Sequence, residues 1–452
     1  MATKIVSHLA ENILTNRKAL CEWQREKGKK IPLPFYCSVD LRDSGYKVVP
    51  VDSNLYPAGF NNICPEDRRT APVILKEEIQ KLQSNLGVGA IKKILLLPES
   101  HTQNKYYIEN LYYLEKIIQD AGFETRIGWY GDFSEQEESS LPTEMDVVQL
   151  TSFTGKELKA HPISIENQIL SARGFRPDLI LLNNDFSGGY PKPLDKIRQP
   201  IVPSHILGWH SRKKSEHFKY YNELAAEFSS IAKIDPWLIQ IETEEVTPVN
   251  FNEEIGIDKV AQSVDRIIGR TQEAYKVHQI KRKPFVFIKN NSGTYGMGIM
   301  VVHSSEELAH LNRRMKNKMS VGKNRAPIES VVVQEGIPTA TLVNNFAAEP
   351  VIYLFGNELI GGFLRSNTEK SDEDNLNSQG MVFKMLCMSD LRTLDTEFAE
   401  REDLKNEPLL ERAYGSIAQL SVFATGIELE KNLERLNSLG RGLSLFPPCF
   451  SA

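Results

Sequence analysis

A mixed α/β fold follows from three stretches of the 452-residue sequence. Residues 284 to 302, Pro-Phe-Val-Phe-Ile-Lys-Asn-Asn-Ser-Gly-Thr-Tyr-Gly-Met-Gly-Ile-Met-Val-Val, set two short runs of β-branched and aromatic residues around a turn-rich middle. That is the pattern of two antiparallel strands joined by a loop. Residues 35 to 54 repeat the hairpin pattern around the turn signal Asp43-Ser-Gly45. Between them in the chain, Ile94-Leu-Leu-Leu97 and Leu179-Ile-Leu-Leu182 are continuous apolar runs with polar exits, as in buried parallel strands, and residues 103–121 read as helix.

Composition bounds the answer. Hydrophobic residues make up 41% and charged residues 25% of the chain, the range of ordinary globular proteins. The length argues for more than one domain. We divide it into residues 1–70 (a helix and a hairpin), 71–208 (the α/β unit) and 209–452 (the region with the glycine loop). A net charge of −5, with no basic stretch interleaved with aromatics, argues against a nucleic-acid partner. The five cysteines show no C-x-x-C spacing, so reduced thiols and a cytoplasmic location are expected. No run of 18 apolar residues predicts a membrane span, and the N-terminus lacks the apolar core of a signal peptide.

In chain order, Ile5, Leu9, Ile13, Leu14, Leu20 and Trp23 are spaced as the inner face of one helix over residues 3–27. The second strand of the following hairpin delivers Asp52 and Asn54, which at i and i+2 share a face and can offer oxygens to a hard cation such as Mg²⁺. The same pair also fits a turn cap. Arg42, on the first strand, can hold a carboxylate bidentately. The apolar runs of the α/β unit end in Glu99, Ser100, His101 and in Asn183, Asn184, Asp185, where ligands gather in parallel sheets. Ser134 to Glu144 reads as a surface loop. Trp209 to Phe228 reads as helix, with Ser211 a candidate N-cap and Lys213 or Lys214 able to reach a phosphate.

In the glycine loop, Gly293, Gly296 and Gly298 let backbone N–H groups approach a polyphosphate, while Lys289, ending the first strand, adds a point charge. There is no G-x-x-x-x-G-K-[ST], and the lysine precedes the glycines, which excludes the P-loop and the protein-kinase order. Ser330 to Pro338 is a buried strand run stopped by Gln334, Glu335 and a Gly/Pro turn. Glu349 to Leu364 reads as two strands about Gly356-Asn357, followed at once by Arg365 and a polar stretch. Residues 407–424 close the chain's regular structure as a packing helix.

Four segments together, Val51 to Asn62, Leu95 to Thr102, Lys289 to Ile299 and Val332 to Pro338, resemble the proteobacterial glutamate–cysteine ligase family of ATP-grasp type, over residues 35 to about 385. The resemblance implies an ATP-grasp fold, ATP and Mg²⁺ as cofactors, and joining of glutamate's γ-carboxylate to cysteine's amine through an acylphosphate. The order of motifs is also similar to that of eukaryotic glutathione synthetase. By that analogy Asp52 and Asn54 are metal ligands, Lys214 and Lys289 touch phosphate, Gln334 and Glu335 line the adenosine site with Glu335 on the ribose, and Arg42 and Arg365 hold substrate or intermediate. That relative carries a third metal carboxylate in its glycine loop, where Asn290, Asn291 and Ser292 stand here. Glutathione synthesis and a non-catalytic ATP-binding module therefore stay open at this point, as does homo-oligomerisation.

Overall fold

The first thirty residues form two helices, α1 (Lys4–Thr15) and α2 (Arg17–Lys30), where the periodicity predicts one. The break is at Asn16, whose amide donates both to its own helix, at Asn12 O, and across to Ala232 O. A tertiary hydrogen bond has overridden a local helical preference. The hairpin forms as expected, from β1 (Tyr36–Asp43) and β2 (Val48–Asn54), with Asp40 opposite Asp52 and Ser38 opposite Asn54. A computed structural model describes residues 3–99, 104–130, 146–186, 189–293, 298–322, 327–388 and 409–438. The expected loop at 134–144, Ser100, His101 and Gly296 lie outside these.

After α3 (Pro65–Arg68) and α4 (Ala71–Leu86) comes the α/β unit. It comprises β3 (Lys93–Pro98), α5 (Lys105–Asp120), β4 (Glu124–Trp129), β5 (Val148–Thr151), β6 (Glu157–Glu166), β7 (Ile169–Ala172), β8 (Leu179–Asn183) and β9 (Ile201–Val202). The sheet order is β5-β6-β4-β3-β8-β9, with β7 on β6. Strands β6, β4, β3, β8 and β9 run parallel, as their two-sided burial requires. Ile94 and Leu96 pack toward α4 and α5, while Leu95 and Leu97 face a separate cluster.

Next follow α6 (Lys214–Ala232), β10 (Thr243–Val246), α7 (Ile257–Val277), β11 (Val286–Asn290), β12 (Ile299–Val302), α8 (Arg313–Ser320) and β13 (Val331–Glu335). The four strands make an antiparallel sheet in the order β10-β13-β11-β12. Helix α6 begins at Lys214, five residues later than its sequence predicts, and Ser211 is not its cap: Ser211 Oγ donates to Ile206 O and Gly208 O instead.

The third sheet draws on both ends of the sequence. β14 (Leu342–Val343), β15 (Phe346–Phe355), β16 (Glu358–Asn367) and β17 (Met381–Leu386) join the N-terminal hairpin in the order β17-β16-β15-β1-β2, with β14 on β15. Arg365 sits within β16, because pairing with β15 and β17 carries that strand on to Asn367. The last helix, α9 (Leu409–Ser438), is longer than the 407–424 segment expected. It is buried on nearly every side against α1, α6 and the sheet, so burial by neighbours, rather than an amphipathic pattern, sets its length. Cys64 and Cys387 form a disulfide, 323 residues apart, contrary to the expectation of reduced thiols; no spacing rule reports a pairing between a loop and a distant strand end.

Candidate active site

Two sheets face one another with charged surfaces between them. Strand alternation puts Cys37, Val39 and Leu41 of β1 and Ile352 and Leu354 of β15 on one side, against α1, α6 and α9. The same alternation and the strand registers put Asp40, Arg42, Asp52, Asn54, Glu349 and Arg365 on the other. In the four-stranded sheet, Val286, Ile288, Val331 and Val333 pack on α7, which turns Phe287, Lys289 and Gln334 the opposite way. The surfaces meet where Lys289 Nζ donates to Val51 O at 3.0 Å and Arg42 lies 5.7 Å from the Phe287 ring.

At one end of this cleft two buried lysines reach the end of β2, Lys214 at Asp52 and Lys289 at the Val51 carbonyl. Lys214 Nζ pairs directly with the Asp52 carboxylate, and Lys289 also donates to Gln334 Oε1 at 2.6 Å. Burial pushes the Lys289 amine down to about 7, with Lys214 and Arg42 adding to the effect and Asp52 and Glu349 opposing it. Asp52 is held below the usual carboxylate range: burial works against its charge, but Lys214 and Lys289 outweigh it. Gln334 Nε2 is buried and has no hydrogen-bond partner. A buried donor without an acceptor, beside an amine that has given up much of its affinity for a proton, suits an incoming anion. Among the described residues no three His, Cys, Asp or Glu side chains are grouped to hold a metal ion. The donor set that would do so is Asp52 with the half-buried Asn54, one carboxylate and one amide oxygen on a shared face, a chemistry suited to a hard cation.

The loop's described ends are tied down. Asn290 N donates to Gly298 O at 2.8 Å, and Ser292 N donates to Asn290 Oδ1. Gly298 has φ +62°, and a Cβ there would meet Ile328 Cδ1 at 2.7 Å; one on Gly293 would meet the Asn290 side chain at 2.8 Å. The positive φ favours glycine at 298, and a side chain at 293 would have to displace that of Asn290.

At the other end, Glu349 bridges two arginines. It accepts from Arg42 Nε at 2.7 Å and from Arg365 Nε at 2.9 Å, and Arg365 also pairs with Asp40. Burial raises the Asp40 carboxyl, and the nearby Asp52 and Glu349 charges add to that. Glu349 goes the other way, because Arg42 and Arg365 outweigh its burial.

Two of the expected site residues lie among protein partners. Arg42 gives three further N–H groups to the carbonyls of Ile337, Asp372 and Asp374, so four of its five donors are directed at the protein. Glu335 accepts at both oxygens from Lys47 Nζ, at 2.9 and 2.8 Å, inside a pair with exposures of 0 and 1%, so a ribose would have to displace a buried salt bridge. Of the two lysines, Lys214 reaches Asp52, and Lys213 reaches Glu245 at the surface. Sequence reasoning missed Asp40, Lys47 and Glu349. Asp40 had a signal, two residues before Arg42 on one strand face; Glu349 is 307 residues from Arg42 and had none. Glu99, Asn183, Asn184 and Asp185 are buried at the carboxyl ends of β3 and β8. There Asn183 Nδ2 donates to Pro57 O in the loop after Asn54.

Two sheets closing on buried lysines, an acid–amide pair and fixed arginines make up the candidate site of a ligase of carboxylate and amine. The chain belongs to the glutamate-cysteine ligase family, whose model matches residues 10–429. It is an ADP-forming enzyme of the first step of glutathione biosynthesis, joining glutamate to cysteine. A solved structure from Methylobacillus flagellatus KT, described as a candidate gamma-glutamylcysteine synthetase, is 31% identical with a TM-score of 0.83, covering 95% of this chain and 98% of that one. A glutathione synthetase-like effector from Globodera pallida (12% identity, TM-score 0.35, 84% of this chain and 85% of that one) is too distant to bear on fold or activity. The same holds for D-alanyl-alanine synthetase A from Vibrio cholerae (12%, 0.35, 74% and 82%). No curated protein matches the sequence. Among the described residues no helix is long and apolar enough to cross a membrane.

Proposed function

We propose that the cleft between the two antiparallel sheets is where ATP phosphorylates the γ-carboxylate of glutamate and where the amine of cysteine then displaces phosphate. The observation that carries this reading is that Lys214, on α6, pairs with Asp52 while Lys289, on β11, donates to the carbonyl of the preceding residue, Val51. Lys289, Lys214 and the loop N–H groups receive the polyphosphate, and Gln334 Nε2 supplies a further donor beside Lys289. Asp52 and Asn54 would hold Mg²⁺, which when bound neutralises charge spreading over the transferred phosphoryl group. Arg365, fixed by Asp40 and Glu349, stabilises the oxyanion of the tetrahedral state. Arg42 acts indirectly, by holding Glu349 and the 372–374 turn. Lys47 and Glu335 frame the end of β13 instead of reading a ribose.

ADP release measured with Mg-ATP and glutamate, cysteine, both, or γ-glutamylcysteine with glycine tests the proposal. Release that needs glutamate and cysteine together, with γ-glutamylcysteine in the product, supports it; release only with the dipeptide and glycine overturns it.

Two further outcomes follow from the site. Lys214→Ala is expected to weaken ATP binding about 10- to 100-fold, the range for a charge-assisted hydrogen bond, while Lys213→Ala stays near wild type. Equal effects of the two would remove Lys214 from the site. The second concerns protons. At pH 8 Lys289 is mostly neutral in the free protein, and a polyphosphate beside it raises its affinity for a proton, so binding takes up protons. Calorimetry in two buffers of different ionisation enthalpy should register that uptake in the wild type and lose it in Lys289→Arg. Equal uptake by both would assign the proton elsewhere.

A further inference from the structure

We propose that Arg212, clamped by Glu428, is a positioning residue that locks the Asp52–Asn54 pair against the lysine and glycine loop that receive the nucleotide. This rests on the reading of the cleft above.

Arg212 is among the largest fully buried side chains of the protein, and its partner Glu428, on α9, is equally enclosed. Nε and Nη2 each donate to a separate Glu428 oxygen at 2.9 Å, a bidentate fork. The remaining arm, Nη1, donates at 3.3 Å to the carbonyl of Ser53, the residue between Asp52 and Asn54. The guanidinium therefore sits behind the candidate metal ligands without being one of them.

The main chain of the same residue completes the link. Arg212 O accepts from Ser292 Oγ, in the glycine loop, at 2.8 Å. Two residues later Lys214 N donates to Asn291 O at 2.8 Å, and Ser215 N donates to Asn291 Oδ1 at 2.9 Å. Asn291 thus caps α6, which has no cap of its own from Lys213, and its Nδ2 also donates to Ser215 Oγ and Ser330 Oγ at 3.0 Å. The Trp209 ring has the Arg212 and Lys214 cations at 4.5 and 4.2 Å from its centroid. The circuit then closes, since Lys214 pairs with Asp52.

A buried ion pair adds little to stability over well-packed apolar residues of similar size. What an apolar pair cannot supply is the hydrogen bond to Ser53 O. Glu428 remains ionised wherever an enzyme works: burial opposes its charge, but Arg212 and the adjacent His217 bring it down to about 2. The clamp consequently does not loosen with ordinary changes of pH.

The test compares wild type with the double variant Arg212→Met/Glu428→Leu, which removes both charges at once. Unfolding midpoint, calorimetric affinity for a non-hydrolysable Mg-ATP analogue without amino acids, and KM for glutamate are measured. The expected result is a folded protein whose affinity for the analogue falls about 10- to 100-fold, the usual cost of losing a group that orients metal ligands, with KM for glutamate within about twofold of wild type. A purely structural pair would move both affinities in proportion, or neither, and either pattern overturns the proposal. Should the double variant fail to fold, Glu428→Gln, which keeps the side-chain shape, is judged by the same ratio. Failure of the wild type itself to bind the analogue would count against the reading of the cleft; binding retained in the variant counts against the clamp alone.

Discussion

Turnover of the Arg365→Ala enzyme is expected to fall about 100- to 1000-fold, the cost of removing one pre-aimed donor from a developing oxyanion. The magnitude follows from how little Arg365 has to move. It lies in the middle of a sheet, on the cleft face, with Asp40 and Glu349 fixing its guanidinium. Burial disfavours its charge, but those two carboxylates keep it protonated. Arg365→Lys separates charge from geometry: it keeps a cation but loses the planar fork, so a partial recovery is expected. ADP release with both amino acids measures turnover, and hydroxylamine trapping of the glutamyl phosphate asks which half-reaction is lost. A rate within about threefold of wild type, against the expected loss, would take Arg365 out of the chemistry.

Glu349→Ala should unfold more easily by about 3–5 kcal/mol, because it takes a buried carboxylate from two buried arginines, leaving Arg365 with Asp40 and Arg42 with backbone carbonyls. Chemical denaturation at neutral pH measures this. The pH dependence has a definite sign. The Glu349 carboxyl is lowered from 4.5 in the folded state, so its contribution is complete above about pH 4.5 and is lost as pH falls through the lower, folded value. Asp40 is raised, so it contributes the opposite slope. Glu349→Gln, titrated beside wild type, removes the first slope and reduces the second only by the part due to the Glu349 charge, since burial is its larger cause. Parallel acid titrations of the two proteins would show that Glu349 is not held ionised by its arginines.

Much of the cleft was legible because its parts are local. The lysine, the glycine loop and the strands around it occupy one stretch of residues, and Asp52 and Asn54 share a face by the simple period of a strand. Hairpins and parallel strands were readable for the same reason: each is specified by neighbours in sequence. The misplaced elements are those decided from outside. Asn16 breaks a helix by bonding Ala232, Asn291 starts α6 by capping it from another loop, and α9 runs on because it is enclosed.

The sequence by itself determined the chemistry available: a lysine beside a glycine-rich segment, an acid–amide pair, and arginines on strand faces. Only the tertiary structure decided which groups are free to use it. Arg42 and Arg365 are the same residue type on the same sheet and share Glu349, yet Arg42 is turned to the 372–374 carbonyls and Arg365 to Asp40. Lys213 and Lys214 are adjacent, and the start of a helix sends one to solvent and the other to Asp52. Burial and partner choice act through contacts hundreds of residues apart, and no local pattern carries them.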